Sequence, residues 1–234
     1  MLTQDDPAVW AVDTRAFSLP IQARRWRQAG LVSGQELDNA ARYGFEQGKL
    51  QYLAGRALVR HALAHVARYQ PAQVEIVLGE AGKPVLARTP DQAGWHFNIS
   101  HSGHMVACGL GGAGIGIDIE MISRRIDHAA IAETYFSADE ARWVTARPDR
   151  VKQRFVALWT IKEAYLKAIG VGLALPINGV LTTDIGLRSC RVLSHHVHDW
   201  KKWHCRLMQP AADFWLAVCY ENAFAPLKLR WADL

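Results

Sequence analysis

No run of apolar residues in this chain approaches the ~18 that a membrane span needs, so no transmembrane helix is expected. The opening stretch, MLTQDDPAVWAVD, lacks a basic start and an apolar core, so no signal peptide is expected. Cysteine is scarce. Cys108, Cys190, Cys205 and Cys219 are the four, and no two form a CxxC pair. Cys108 and Cys219 stand in apolar, strand-like runs where a buried free thiol is expected, and the set fits a reducing, cytoplasmic home. An excess of acid is also missing. With 27 Lys and Arg against 22 Asp and Glu the net charge is +5, which suits an acidic partner: nucleic acid, an acidic protein or a phosphorylated small molecule. The rest is ordinary for a globular chain. Of 234 residues 50% are hydrophobic and 21% charged, enough for one large domain or two small ones.

Residues 1–32 read as irregular. SGQE (Ser33 to Glu36) then reads as a capping box, a hydroxyl at the N-cap and a carboxylate three residues on. A helical region follows to about Arg68, with a break near Gly44, and Leu50, Leu53, Ala54, Ala57, Leu58 and Leu63 give it one apolar face. VEIVL (74–78), WHFNIS (95–100), MVACGL (105–110) and IGIDIEM (115–121) read as strands, and GEAGKP (79–84) as a turn. SADE (Ser137 to Glu140) is a second capping box. A longer helix is predicted from about Arg150 to Ile169, stopped by Gly170. Strands are predicted near 179–183, 190–197, 203–209 and 213–220. Each half thus reads as helix followed by strands, an α+β plan that fits a pseudo-duplication, with chance similarity of two strands as the alternative.

Four short stretches carry candidate chemistry. In GIGIDIE, Asp118 and Glu120 are two apart on a strand and project together, with Ile117, Ile119 and Met121 on the opposite face, toward the core. Neighbouring carboxylates repel and call for a cation, and an all-oxygen pair suits Mg²⁺. Alone, the pair reads as an ordinary solvated strand face. In WTIKEAYLKAIG, Glu163 and Lys167 are four apart on one helix face, with Trp159 a turn earlier; alone, this is a surface ion pair. In FNISHS, Asn98, Ser100 and Ser102 share a face if the strand continues, and His101 sits where it ends, a set that suits phosphate oxygens. GKP presents Lys83 on a turn. HHVHD (195–199) places His196 and His198 on one strand face, which suits Zn²⁺, but no Cys or His at ligand spacing completes a site.

Taken in order, GKP, FNISHS, GIGIDIE, FSADE and WTIKEAYLKAIG resemble the 4′-phosphopantetheinyl transferases in their larger, two-lobed (Sfp-type) form. The resemblance runs from about Ser33 to Pro176. It implies an α+β fold of two pseudo-duplicated lobes, each a long helix packed on a small, mostly antiparallel sheet, with the active site in the cleft between lobes. The lobes are expected at 1–113 and 114–234. The implied reaction moves 4′-phosphopantetheine from coenzyme A to a serine of an apo acyl or peptidyl carrier protein, releasing 3′,5′-ADP. By the same resemblance Asp118, Glu120 and Glu163 hold Mg²⁺. Asp118, Glu163 and Lys167 are the catalytic residues, with Glu163 a candidate base. Lys83, Pro84, Asn98, Ser100, His101, Asp118 and Lys167 contact coenzyme A.

Two positions depart from the pattern. Gln47 stands where relatives often carry a base, and GEA stands where another often precedes GKP. Arg42 and Lys49 are the nearby basic candidates for the 3′-phosphate. Glu140 belongs to the pattern, yet its place in a capping box explains it as well. Arg124 and Arg125, with Arg142, Arg147 and Arg150, are candidate contacts for an acidic carrier helix. A cytoplasmic monomer is expected, acting on neither nucleic acid nor membrane. The rival readings are another Mg²⁺-dependent phosphodiester enzyme and an inactive coenzyme A-binding homologue.

Overall fold

The computed structural model describes residues 7–79, 82–88, 94–112, 114–122, 126–170, 177–183, 189–194, 203–221 and 227–234. Its backbone divides into two units: Met1–Gly114 with Phe224–Leu234, and Ile115–Ala223.

In the first unit, β1 (Ala8–Asp13) leads to α1 (Leu19–Gln28), α2 (Gly34–Ala41) and the long α3 (Glu46–Ala67). Then come β2 (Glu75–Leu78), β3 (Pro84–Arg88), β4 (His96–Ser102) and β5 (Met105–Gly111). β2 and β3 form their own hairpin. The main sheet has the order β11-β1-β5-β4, where β11 is Leu229–Trp231. Two corrections follow. Residues 7–32, the described part of the stretch expected to be irregular, are not, because β1 is an inner strand with five of its six residues buried and α1 follows it. The second lobe does not keep its tail, because β11 pairs in parallel with β1, Val9 opposite Leu229. Leu53, Ala54, Ala57 and Leu58 of α3 meet Trp10, Val106 and Cys108 of the sheet in one apolar core. Each fully buried leucine or valine among them contributes roughly 1.5–3 kcal/mol of burial free energy.

The second unit begins with β6 (Ile115–Met121), followed by α4 (His128–Tyr135), which the sequence reading lacked, and α5 (Ala138–Thr145). The long α6 (Val151–Ile169) ends at Gly170, whose φ of 75° is the left-handed cap that glycine favours. β7 (Val180–Thr183), β8 (Ser189–Ser194), β9 (Trp203–Met208) and β10 (Phe214–Glu221) complete an antiparallel sheet of order β6-β10-β9-β8-β7. α6 lies on this sheet, with Phe155, Leu158, Ile161 and Tyr165 packed among Cys205, Trp215, Ala217 and Cys219. Each unit is therefore a long helix on a sheet whose only parallel pairing, among the described residues, is β1 with β11.

Cys219 is not the free thiol expected of it. It faces Cys205 across the β9–β10 ladder, Cα atoms 4.3 Å apart, and the two are joined as a disulfide. A separation of 14 residues gives no motif, and only the register brings them together. Cys108 is a buried free thiol, its pKa pushed up by burial. The residues of HHVHD lie outside the described residues.

Candidate active-site residues

The acidic strand is placed by a glycine. A Cβ on Gly116 would stand 2.0 Å from the carbonyl oxygen of Ala164 and 2.3 Å from the backbone nitrogen of Ala168. Helix α6 thus lies directly on β6, an approach only glycine permits. Asp118 and Glu120 have the parity of Gly116 and share its helix-facing side. Ile117 and Ile119, on the opposite side, are fully buried but are not among the residues of the core under α6, so β6 is covered on both faces. That differs from the expectation of one core face and one carboxylate face.

The approach brings Lys167 Nζ within 2.6 Å of Asp118 Oδ1. Asp118 is only 4% exposed, so its charge sits in a poorly solvated place and the ammonium is its counter-ion. Glu163, one helical turn before Lys167, is half-buried. Burial raises its carboxyl pKa above the ordinary value, Asp118 and Glu120 raise it further, and Lys167 pulls it partly back. Glu120 also lines a small cavity of about 140 Å³ with Met121, His128 and Trp159. Among the described residues no three His, Cys, Asp or Glu side chains stand together in a way that could hold a metal ion as placed. The donor set nonetheless has the character Mg²⁺ takes, carboxylate oxygens only, with Asp118 and Glu120 adding to the rise that burial causes in the Glu163 pKa.

The first unit holds a larger cavity, about 860 Å³. Arg42, Tyr43, Tyr52, Arg56, Pro84 and His101 are in its wall. The guanidinium of Arg56 stacks over the Tyr52 ring at 5.1 Å, and its buried Nη1 has no hydrogen-bond partner among the described residues. Lys83 follows Gly82, whose φ of 75° makes the tight turn between β2 and β3. Burial lowers the Lys83 pKa, as it does for an ammonium partly withdrawn from water.

Two sequence profiles described as 4′-phosphopantetheinyl transferase match in tandem, the N-terminal one over residues 20–109 and the superfamily one over residues 114–219. A 4′-phosphopantetheinyl transferase of Bacillus subtilis is 36% identical over 197 residues, covering 82% of this chain and 84% of that one. The chain belongs to the 4′-phosphopantetheinyl transferase superfamily. The 4′-phosphopantetheinyl transferase HetI of a Nostoc species is 35% identical over 148 residues, 62% of each chain. The 4′-phosphopantetheinyl transferase Sfp of Bacillus subtilis is 31% identical over 158 residues, 67% of this chain and 68% of that one. Among solved structures, a holo-[acyl-carrier-protein] synthase of Thermotoga maritima matches at TM-score 0.39 and 23% identity over 47% of this chain and 63% of that one, a likeness too slight to build on.

For a phosphopantetheinyl transferase, the expected residues fall into clear groups. Asp118, Glu120, Glu163 and Lys167 gather where β6 meets α6. Pro84, His101 and Arg42 line the large cavity of the first unit. Lys49 and Lys83 are not in its wall. His101 is not at a strand end. β4 runs on to Ser102, so His101 shares the face of Ile99, while Asn98, Ser100 and Ser102 are buried on the other.

Glu140 is enclosed, 0% exposed. Its Oε2 accepts from Lys162 Nζ at 2.8 Å and from the Ser137 N–H at 2.9 Å, and its Oε1 accepts from the backbone N–H and hydroxyl of Thr182. The capping box is formed in full. Burial raises the Glu140 pKa, but Lys162 and the hydrogen bonds outweigh it and leave the carboxyl below its ordinary value. Arg124 and Arg125 lie outside the described residues. Arg142, Arg147 and Arg150 are exposed, and each pairs with a nearby aspartate, Asp139 or Asp149. Sequence reasoning missed Arg56 and Lys162. A cation inside a helix otherwise rich in buried residues is the signal that would have flagged both, since it must find a partner.

Proposed function

We propose that this transferase moves 4′-phosphopantetheine from coenzyme A to a serine hydroxyl of an apo acyl or peptidyl carrier protein. The serine oxygen bonds to the β-phosphorus, the bond from that phosphorus to the bridging oxygen breaks, and 3′,5′-ADP leaves. The observation that carries the reading is the junction of β6 and α6, with Lys167 on Asp118 and a carboxyl of raised pKa beside them. A raised pKa makes Glu163 a stronger base, suited to take the serine proton as the oxygen attacks. Lys167, whose ammonium meets Asp118, sets positive charge against phosphate oxygens, the main requirement of phosphoryl transfer. Mg²⁺, held by Asp118, Glu120 and Glu163, would neutralise the pyrophosphate and ease departure of the nucleotide.

The first unit supplies binding. Lys83 and His101 contact coenzyme A phosphates, while Asn98 and Ser100 stand on the opposite, buried face of β4. Arg42 and Arg56, both in the cavity wall, hold the 3′-phosphate, the role for which Gln47 has no charge. The carrier is an acidic protein, met by the chain's net +5 charge and by Arg124 and Arg125. The enzyme works as a cytoplasmic monomer, away from nucleic acid and membrane. Among the described residues no helix is long and apolar enough to cross a bilayer. The disulfide joins buried cysteines and is shielded from thiol reductants, so it does not oppose that home.

The test is intact mass spectrometry of an apo-carrier protein incubated with the enzyme, coenzyme A and Mg²⁺. The carrier should gain one phosphopantetheine while 3′,5′-ADP appears in equal amount. A carrier of unchanged mass, across fatty-acid, polyketide and peptide-synthesis carriers, would refute the reading.

A further inference from the structure

The hairpin that carries His101 is held in an uncommon way. β4 and β5 are joined by two residues, Gly103 and His104, with Ser102 opposite Met105. Gly103 has φ of 55°, and a positive φ at the first turn position calls for glycine. Both turn carbonyls are doubly bonded. The Gly103 oxygen accepts from Gln47 Nε2 at 2.6 Å and from Gln51 Nε2 at 2.7 Å. The His104 oxygen accepts from the backbone N–H and the hydroxyl of Thr14, each at 2.9 Å. A carbonyl has two lone pairs, so both oxygens are saturated by donors from outside the hairpin.

Gln47 and Gln51 are four residues apart on α3 and so stand on one side of the helix. Gln51 lines the 860 Å³ cavity together with His101, which lies two residues before Gly103. A glycine-containing turn at an exposed hairpin tip would otherwise be free to rock, and His101 would move with it. We infer that Gln47 and Gln51 are positioning residues for His101: their amides fix the Gly103 carbonyl and thereby hold the imidazole in place for a coenzyme A phosphate. This rests on the reading of His101 as a phosphate contact, and it gives Gln47 a task other than charge.

The experiment is calorimetric titration of coenzyme A into four proteins: wild type, Gln47→Met with Gln51→Met, His101→Ala, and the triple variant. Methionine keeps the volume of glutamine and removes the donor. The glutamine pair variant should weaken binding about tenfold with little change in melting temperature. In the His101→Ala background the same two substitutions should cost less than about 1.5-fold, because groups that act through one another are not additive. A full tenfold cost that persists without His101 overturns the inference, as does an unchanged Kd for the pair variant when His101→Ala alone weakens binding. An unchanged Kd for His101→Ala itself overturns the phosphate reading of that residue, and the positioning role falls with it.

Discussion

In each unit the short helix just before the long one opens on a capping box whose glutamate is buried, and in each that glutamate meets a cation from the long helix that follows. In the first unit Glu36 closes the box on Ser33 and bonds Arg60 Nη1 at 2.8 Å. In the second, Glu140 closes the box on Ser137 and bonds Lys162 Nζ, also at 2.8 Å. The separations, 24 and 22 residues, are nearly equal. This shared device supports the pseudo-duplicated plan more directly than any likeness between strands. The differences teach more. Glu36 has a second cation, Arg56 Nε at 3.9 Å, and its pair stands beside an open cavity. Glu140 has, among the described residues, Lys162 as its one cation and is sealed. The close approach of helix to sheet also differs. In the first unit the glycine is on the helix, Gly55 against the Ile99 side chain. In the second it is on the strand, Gly116 against helix backbone.

The comparison breaks most sharply at the sealed pair. Lys162→Met leaves a buried carboxylate without its cation and should cost about 3–5 kcal/mol of stability in denaturant titration. Arg60→Met should cost about 2 kcal/mol less, because Arg56 remains near Glu36. Equal losses would mean that the two networks are not distinguished by their spare cation.

Next come the glycines. Gly116→Ala drives a methyl into the Ala164 carbonyl and should cost about 3 kcal/mol while separating Lys167 from Asp118. Gly55→Ala meets only an Ile99 methyl at 3.1 Å and gains helix propensity of about 1 kcal/mol, so its net effect should be near zero. Thermal melts of the two variants decide this.

Acid should separate the two carboxyls of the second unit. Glu140 has a folded pKa below its ordinary 4.5, so its contribution is fully present above that value and is lost only as pH falls through the lower folded one. Glu163 has a folded pKa above 4.5, so a base in its position is protonated earlier. Activity should therefore fail on acidification before circular dichroism shows unfolding. Glu140→Gln should flatten the dependence of stability on pH below about 4.5.

A smaller effect than the stability losses is expected on binding. Arg56→Met should raise KM for coenzyme A about tenfold with kcat little changed, a loss of uniform binding in the unit assigned to hold the nucleotide. A fall in kcat with KM unchanged would move Arg56 into the chemistry.

Much of this was legible in the sequence, for reasons of range. A capping box is settled within four residues, so SGQE and SADE both read true. β6 and α6 carry their own periodicity and a stop at Gly170, and they matched almost to the residue. What depended on distant partners did not read. β1 is only a short apolar stretch until β5 and β11 flank it, and β11 is three residues that mean nothing without β1. His101 was expected where the strand ends, but β4 runs on to Ser102 because the turn forms at Gly103 and His104. The carboxylates were visible as D-x-E, but their burial under α6 was not, because Gly116 reveals its purpose only when Ala164 is beside it.

The central claim is that Asp118 and Glu163 carry the chemistry where β6 meets α6. It is tested most directly by single-turnover transfer at saturating coenzyme A and Mg²⁺, comparing wild type with Asp118→Asn and Glu163→Gln, each shown to be folded by circular dichroism. Each variant should be slower by about a thousandfold, ~4 kcal/mol of barrier. A folded variant that keeps more than about a tenth of the wild-type rate, a loss under ~1.4 kcal/mol, would contradict the claim.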